Sequence, residues 1–211
     1  MVATCFIQIR RGVFLGVLMF CGAVARGGVK VQLLVTQLPI KSVPARRAGL
    51  LRADYGYGAR LCVVPPDKKV RVLVEGFHSA CEGSVSFDAK HIVFAGKTKP
   101  SDLWNIYEVG VDGSGVRQIT RNAGNCRRPG YQPNLYTIAS PVPRLQITFV
   151  SDAAGKINEY GSARATDLYS CKLDGSSLAR LTFNPSSDID PVVMSSGRLL
   201  FASWRRAGLS R

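Results

Sequence analysis

A repeat constrains this chain more than any other feature. Residues 84–120 read SVSFDAKHIVFAGKTKPSDLWNIYEVGVDGSGVRQIT, and residues 145–152 (LQITFVSD) and 167–182 (DLYSCKLDGSSLARLT) pass through the same landmarks. A third pass, DIDPVVMSSGRLLFASW, begins at residue 188. Ile92-Val93-Phe94 aligns with Ile147-Thr148-Phe149 and Leu199-Leu200-Phe201. Asp112-Gly113-Ser114 aligns with Asp174-Gly175-Ser176, and Ile119-Thr120 with Leu181-Thr182. Similarity at such a period means stacked supersecondary units, each unable to bury its apolar face alone.

Each unit reads as an antiparallel meander. The Ile-Val-Phe-Ala run is short and wholly apolar, which suits a strand packed on both faces. Residues 104–109 and 168–173 partly alternate and predict the next strand. Asp-Gly then signals a tight reversal, because glycine takes the positive φ the turn needs. A last strand, 116–119 or 178–181, carries Arg117 and Arg180 outward before Thr120 or Thr182 closes the unit. Upstream, 61–64 and 70–74 predict the tail of an earlier unit around a turn at 65–69. Residues 29–38 could add one strand, 55–58 read as loop, and 44–53 as a basic helical turn. With 21 Gly, 11 Pro and no sustained helical period, the chain is expected to be all-β.

The charge balance narrows the function classes. Lys and Arg number 28 against 14 Asp and Glu, a net +14. The basic residues lie in dispersed pairs (Arg46-Arg47, Lys68-Lys69, Arg127-Arg128, Arg205-Arg206) with no interleaved aromatics. That pattern fits a solvated basic surface and argues against nucleic acid. Residues 1–25 read as a secretory signal: Arg10-Arg11, an apolar run from Val13, then Ala23-Val24-Ala25 for cleavage. The expected location is therefore periplasmic or secreted.

Export leaves Cys62, Cys81, Cys126 and Cys171 where disulfides are permitted. Three pairings are open. The loop-like settings of Cys81 and Cys126 favour a bridge between them, with four separate thiols as the alternative. His78 and His91 are the only histidines. His78 stands three residues before Cys81, but neither an acid partner nor a G-x-S-x-G elbow accompanies them. His91 is expected to be packed or satisfied at a turn. Asp188-Ile189-Asp190 offers the best carboxylate pair for calcium, though an inter-unit loop reads as well. Asp88 and Asp112 sit in turns, and Asp152 and Asp167 near unit ends. Trp104, Tyr107, Tyr169 and Trp204 are expected to pack. No C-x-x-C, C-x-x-C-H or H-x-x-x-H occurs, so neither a metal nor a cofactor is expected.

The pattern apolar-Ser-Phe-Asp-x-Lys-x-Ile-x-Phe, then Ile-Tyr-x-Val-x-Val-Asp-Gly-Ser ending in Ile-Thr, resembles the WD40-like β-propeller repeat of the TolB type. The resemblance runs from Ser84 to about Trp204, and more weakly back to Leu61. It implies an incomplete β-propeller of about three four-stranded antiparallel blades. The domains are then 1–25 signal peptide, 26–60 N-terminal extension and 61–211 blades, truncated at the C-terminus. At roughly 40–45 residues per blade, the length holds about three. Asp88, Asp112, Gly113, Ser114, Thr120, Asp174, Gly175, Ser176, Thr182 and Asp190 become blade turn and closure residues. Where the family has Pro-Asp-Gly, this chain has Phe87-Asp88-Ala89 and Ser195-Ser196-Gly197. Ala89 lacks glycine's freedom, so a different turn type is expected there.

The expected function is an exported, non-enzymatic scaffold that mediates protein–protein interaction in the cell envelope. Association through the open blade edge is expected too. One alternative is the propeller portion of a larger periplasmic hydrolase or oxidoreductase whose catalytic part is absent. Another is a carbohydrate or polyanion binder.

Overall fold

The computed structural model describes residues 2–9, 13–20, 32–39, 56–66, 69–133, 135–137, 140–159, 161 and 163–204. Among them every regular element is a strand. β1 (Val2–Ile9) and β2 (Val13–Phe20) pair as a hairpin, Val2 opposite Phe20 and Ile9 opposite Val13. They occupy the segment read as an export leader. The cleavage motif at Ala23-Val24-Ala25 and the helical turn expected at 44–53 lie outside the described residues.

Four sheets follow. The first blade orders β3 (Leu33–Gln37), β4 (Arg60–Val64) and β5 (Arg71–Val72). The second orders β6 (Ser79–Val85), β7 (His91–Lys97), β8 (Asn105–Gly110) and β9 (Arg117–Gln118). β10 (Arg127–Tyr131) opens the third, and a two-stranded insert, β11 (Leu135–Thr137) and β12 (Ser140–Arg144), follows it. β13 (Gln146–Ser151), β14 (Asp167–Lys172) and β15 (Ala179–Arg180) then complete the order β10-β13-β14-β15. β16 (Asp188–Val193) and β17 (Leu199–Ser203) form the fourth, two-stranded sheet.

Strand β7 shows why the repeat is so apolar. Side chains alternate across a strand, and here both faces are core. Ile92 and Phe94 join Leu61, Val63 and Leu73 of the first blade. Val93 and Ala95 turn the other way, onto Ile147 and Phe149 of the third. One strand therefore supplies two inter-blade cores, and no position is left for a polar residue between Ile92 and Ala95.

Each repeat begins with a strand that the periodicity did not show, namely β6, β10 and β16, and these first strands lie against one another from blade to blade. Cys81 is consequently a strand residue, not a loop residue, and Asp188-Ile189-Asp190 opens a strand, not an inter-blade loop. Within the insertion at 153–166, Ile157 and Arg164 form an antiparallel bridge.

Candidate functional site

The Asp-Gly turns are built alike. Gly110 N–H donates to Ser114 O at 2.8 Å, and Gly113 N–H to Gly110 O at 2.9 Å. Lys172 repeats the first bond with Ser176 and Gly175 the second with Lys172, each at 2.9 Å. Asp112 Oδ1 accepts from Ser114 N at 2.9 Å, and Asp174 Oδ1 from Ser176 N, also at 2.9 Å. These bonds hold both carboxyls below their usual range, the Ser114 backbone amide leading for Asp112 and the Ser176 hydroxyl for Asp174. Gly113 (φ 93°) and Gly175 (φ 84°) take the left-handed conformation.

Both glycines also touch the preceding blade. A Cβ on Gly113 would lie 2.8 Å from Leu73 O, and one on Gly175 would be driven into Ile119 O. Leu73 follows β5 as Ile119 follows β9, so the junction repeats. Arginines complete it. Arg71 Nη1 donates to Asp112 O at 2.9 Å, and Arg117 Nη1, in the equivalent place, to Leu173 O at 2.6 Å. The closing threonines match as well: Thr120 Oγ1 accepts from Ile106 N at 2.8 Å, and Thr182 Oγ1 from Leu168 N at 3.0 Å.

The turn at Asp88 departs from expectation. Ala89 sits at φ 57°, in the same left-handed place that Gly197 occupies at 78° one turn type later in the chain. Ala89 N donates to Ser86 O, and Gly197 N to Met194 O, both at 2.9 Å. The turn type is retained in spite of the alanine. Asp88 helps hold it, accepting from Ser86 Oγ at 2.6 Å and Lys90 N at 3.1 Å.

The most heavily charged element lies on the first strands, which sequence periodicity missed. Each is bulged at the same place, with a non-glycine residue in the left-handed region: Glu82 (φ 57°), Arg128 (53°) and Asp190 (52°). These three residues form one chain of ion pairs across three blades. Glu82 accepts from Arg127 Nε at 3.0 Å and Nη2 at 2.7 Å, and from Arg128 N at 2.9 Å. Arg128 Nε lies 3.2 Å from Glu82 Oε1 and 3.0 Å from Asp190 Oδ1. Arg127 and Glu82 are almost wholly enclosed, their side chains 1% and 4% exposed. Burial opposes the Glu82 charge, but Arg127 and Arg128 override it and hold the carboxyl at about 2. Arg127-Arg128, expected as a solvated basic pair, is thus an internal tie.

A second tie joins the second and third blades. Tyr131 Oη donates to Glu108 Oε1 at 2.8 Å, and Arg117 Nε to Glu108 Oε2 at 2.8 Å. In the third blade, fully buried Asp167 meets Lys156 at 2.7 Å and Arg180 at 3.1 Å. Asp188 is also fully buried, and both its oxygens accept from Asn184 Nδ2, at 2.8 and 2.9 Å. Asp152 accepts from Asn125 N at 2.7 Å and from Asn125 Nδ2 at 2.9 Å. These carboxylates serve loops and junctions. Among the described residues no three of His, Cys, Asp and Glu converge on a metal position.

The expected Cys81–Cys126 bridge is not formed: Cys62, Cys81, Cys126 and Cys171 are free and buried. Cys81 Sγ faces Arg127 Nη2 at 3.8 Å, whereas Cys126 Sγ donates to Ala123 O at 3.2 Å. Burial pushes both thiols up to about 12, so neither is a nucleophile at neutral pH. His78 Nδ1 lies 2.8 Å from Ser79 Oγ and forms no pair with Cys81. His91 is exposed at the start of β7. Trp104, Tyr107 and Tyr169 are packed, and Trp204 is half-buried.

Antiparallel sheets of two to four strands joined by repeated blade-to-blade junctions define β-propeller architecture, and its likeness is to the TolB type. No family model matches the chain. Hydrazine synthase subunit alpha of Kuenenia stuttgartiensis is 25% identical over 183 residues, covering 67% of this chain and 22% of that protein. A solved Kuenenia stuttgartiensis hydrazine synthase chain superposes with a TM-score of 0.62 at 22% identity, over 83% of this chain and 28% of that one. A structure assigned to TolB of Agrobacterium tumefaciens gives 0.55 at 19%, over 81% of this chain and 49% of that one. The chain thus spans less than a third of the hydrazine synthase proteins and about half of the TolB chain.

Proposed function

We propose that this chain is an exported, non-enzymatic β-propeller scaffold that holds a protein partner in the cell envelope on the outer face of the β16–β17 sheet. One observation carries the reading. Val192 and Leu200 pair directly across the two strands and are 57% and 61% exposed. Leu200 and Ala202 occupy the places that Val93 and Ala95 hold in β7, where that face is fully buried against the next blade. Met194 extends the exposed surface, and among the described residues nothing covers it. A contiguous apolar face of this kind marks a surface made to pack against another unit, a further blade or a separate partner.

The surrounding charges say what such a partner meets. Asp190, half exposed, ends the ion-pair chain and offers a carboxylate to a basic group. Arg180 stands where Arg71 and Arg117 stand in their blades, and already bonds Asp167 and Thr182 O. Export is supported by the basic-flanked apolar leader at 1–25.

The test is capture of envelope extract on the purified chain, with Val192→Glu/Leu200→Glu as comparison and thermal melts to verify folding. The reading expects one protein retained stoichiometrically by the parent chain and lost by the variant. Equal retention by both, or recovery of cell-wall glycan instead of protein, refutes it. The hydrazine synthase likeness, present in sequence and in fold, favours a second reading in which this propeller belongs to a larger oxidoreductase. The retained partner would then be an oxidoreductase subunit.

A further inference from the structure

At one end of the first and second blades four side chains meet, three borne on loops and one on the last residue of β7. Tyr57 precedes β4, His78 precedes β6, Lys97 ends β7 and Trp104 precedes β8. Ladder pairing brings them together: Ser79 is opposite Lys97, Gly96 opposite Asn105, and Ala80 N donates to Ala59 O at 2.9 Å. Lys97 Nζ lies 5.8 Å from the Tyr57 ring centre and 5.4 Å from that of Trp104. The Tyr57 and His78 ring centres are 4.5 Å apart, edge to face. Tyr57 is 40% exposed, His78 and Lys97 are half-buried, and Trp104 is buried beneath them at 2%.

The donors here are unmatched. Lys97 reaches only Pro100 O, at 3.5 Å, and among the described residues it makes no ion pair. Burial, and then the Arg127 charge, pull its ammonium below the usual range, so the group gains from an added negative charge. Ser79 Oγ accepts from Gly58 N at 2.9 Å and lies 2.8 Å from His78 Nδ1. In the tautomer where Ser79 donates to Nδ1, the imidazole proton sits on Nε2, as a donor. Trp104 Nε1, on the ring that Lys97 and Arg127 share, is buried and has no hydrogen-bond partner among the described residues.

We infer that Tyr57, His78, Lys97 and Trp104 form a binding site for a carboxylate carried next to an aromatic or apolar side chain, that is, for an acidic peptide segment. One ammonium and one neutral N–H suit a singly charged oxyanion. A phosphate draws on bidentate arginines or several converging amides, and Arg127 is already committed to Glu82. Tyr57 and the Lys97 stem supply the flat apolar wall.

Trp104 and Trp204 are the two tryptophans, so Trp104 fluorescence can be read in a Trp204→Phe background. N-acetyl-Tyr-Glu-amide, N-acetyl-Tyr-Gln-amide and inorganic phosphate are titrated in turn. The Glu peptide should change the signal saturably, weaken with salt, and bind about tenfold or more tightly than the Gln peptide, as expected for a charge-assisted contact. Lys97→Met should lose the same factor, and Lys90→Met, at the opposite end of β7, should lose none. Tyr57→Leu, at an exposed position, tests the wall should Lys97→Met fold poorly, and it too should weaken binding. Equal binding of the two peptides, binding of neither, tighter binding of phosphate, or retained affinity in both variants overturns the assignment.

Discussion

Replacing Glu82 by Gln tests the ion-pair chain most directly. Glutamine keeps the size and some hydrogen bonds but leaves the Arg127 guanidinium, 1% exposed, without its counter-charge. Removing one member of a buried pair costs about 3–5 kcal/mol. The pH dependence supplies an independent magnitude. A carboxyl moved from its ordinary 4.5 to about 2 on folding contributes about 3 kcal/mol. Its folded pKa is depressed, so that stability is complete above about pH 4.5 and is lost as pH falls through about 2. Urea unfolding of both proteins at pH 7, 4 and 2.5 should therefore show a gap of about 3 kcal/mol or more at neutrality that narrows on acidification. A gap unchanged between pH 7 and 2.5 would show that Glu82 acts through shape instead of charge. No gap at all would remove the tie from the account.

Further outcomes follow from the turns and thiols. Gly175→Ala should destabilise by about 2 kcal/mol or more, because its Cβ meets a backbone carbonyl and its φ is left-handed. Gly155→Ala, with similar φ and open space, should cost only about 1 kcal/mol; equal losses would deny the junction its part. Ala89→Gly should stabilise by about 1 kcal/mol in thermal or urea unfolding, since it relieves the left-handed alanine, and a loss would contradict the turn assignment. Thiol labelling at pH 7 should be slow for Cys62, Cys81, Cys126 and Cys171 until denaturant is added, and should then reach all four without reductant. A Cys81–Cys126 crosslink found by non-reducing mass analysis would refute the free-thiol arrangement.

The second, third and fourth strands of each blade were legible because their signals are local. The apolar run of β7, the Asp-Gly pair and the closing threonine each name a conformation within a few residues. The first strands were not legible. Ser79–Val85, Arg127–Tyr131 and Asp188–Val193 mix charge, glycine and proline, because a bulge interrupts their alternation and because their partners are charges on neighbouring blades. One signal was available: counted eight residues on from the closing Val74, Thr120 and Thr182, Glu82-Gly83, Arg128-Pro129 and Asp190-Pro191 fall in register. The cysteine pairing failed for a related reason, since Cys81 looked loop-like only while its strand went unseen. The aromatic–lysine patch draws on three separate loops and the end of β7, and no spacing along the chain could have collected it.

The junction at Gly113 and Gly175 has a direction: an arginine reaches forward to a turn, and that turn's glycine rests back on the strand it came from. Coupling of this sort is nearest-neighbour, so stability accumulates like links in a zip fastener. A substitution at Gly175 should loosen the seam between the second and third blades and leave the one at Leu73 engaged. The β11–β12 insert interrupts the third blade between its first two strands and re-enters β13 beside the Gly175 turn, where Leu145 O accepts from Leu173 N at 3.3 Å, so extra chain there feeds directly into the edge of that seam.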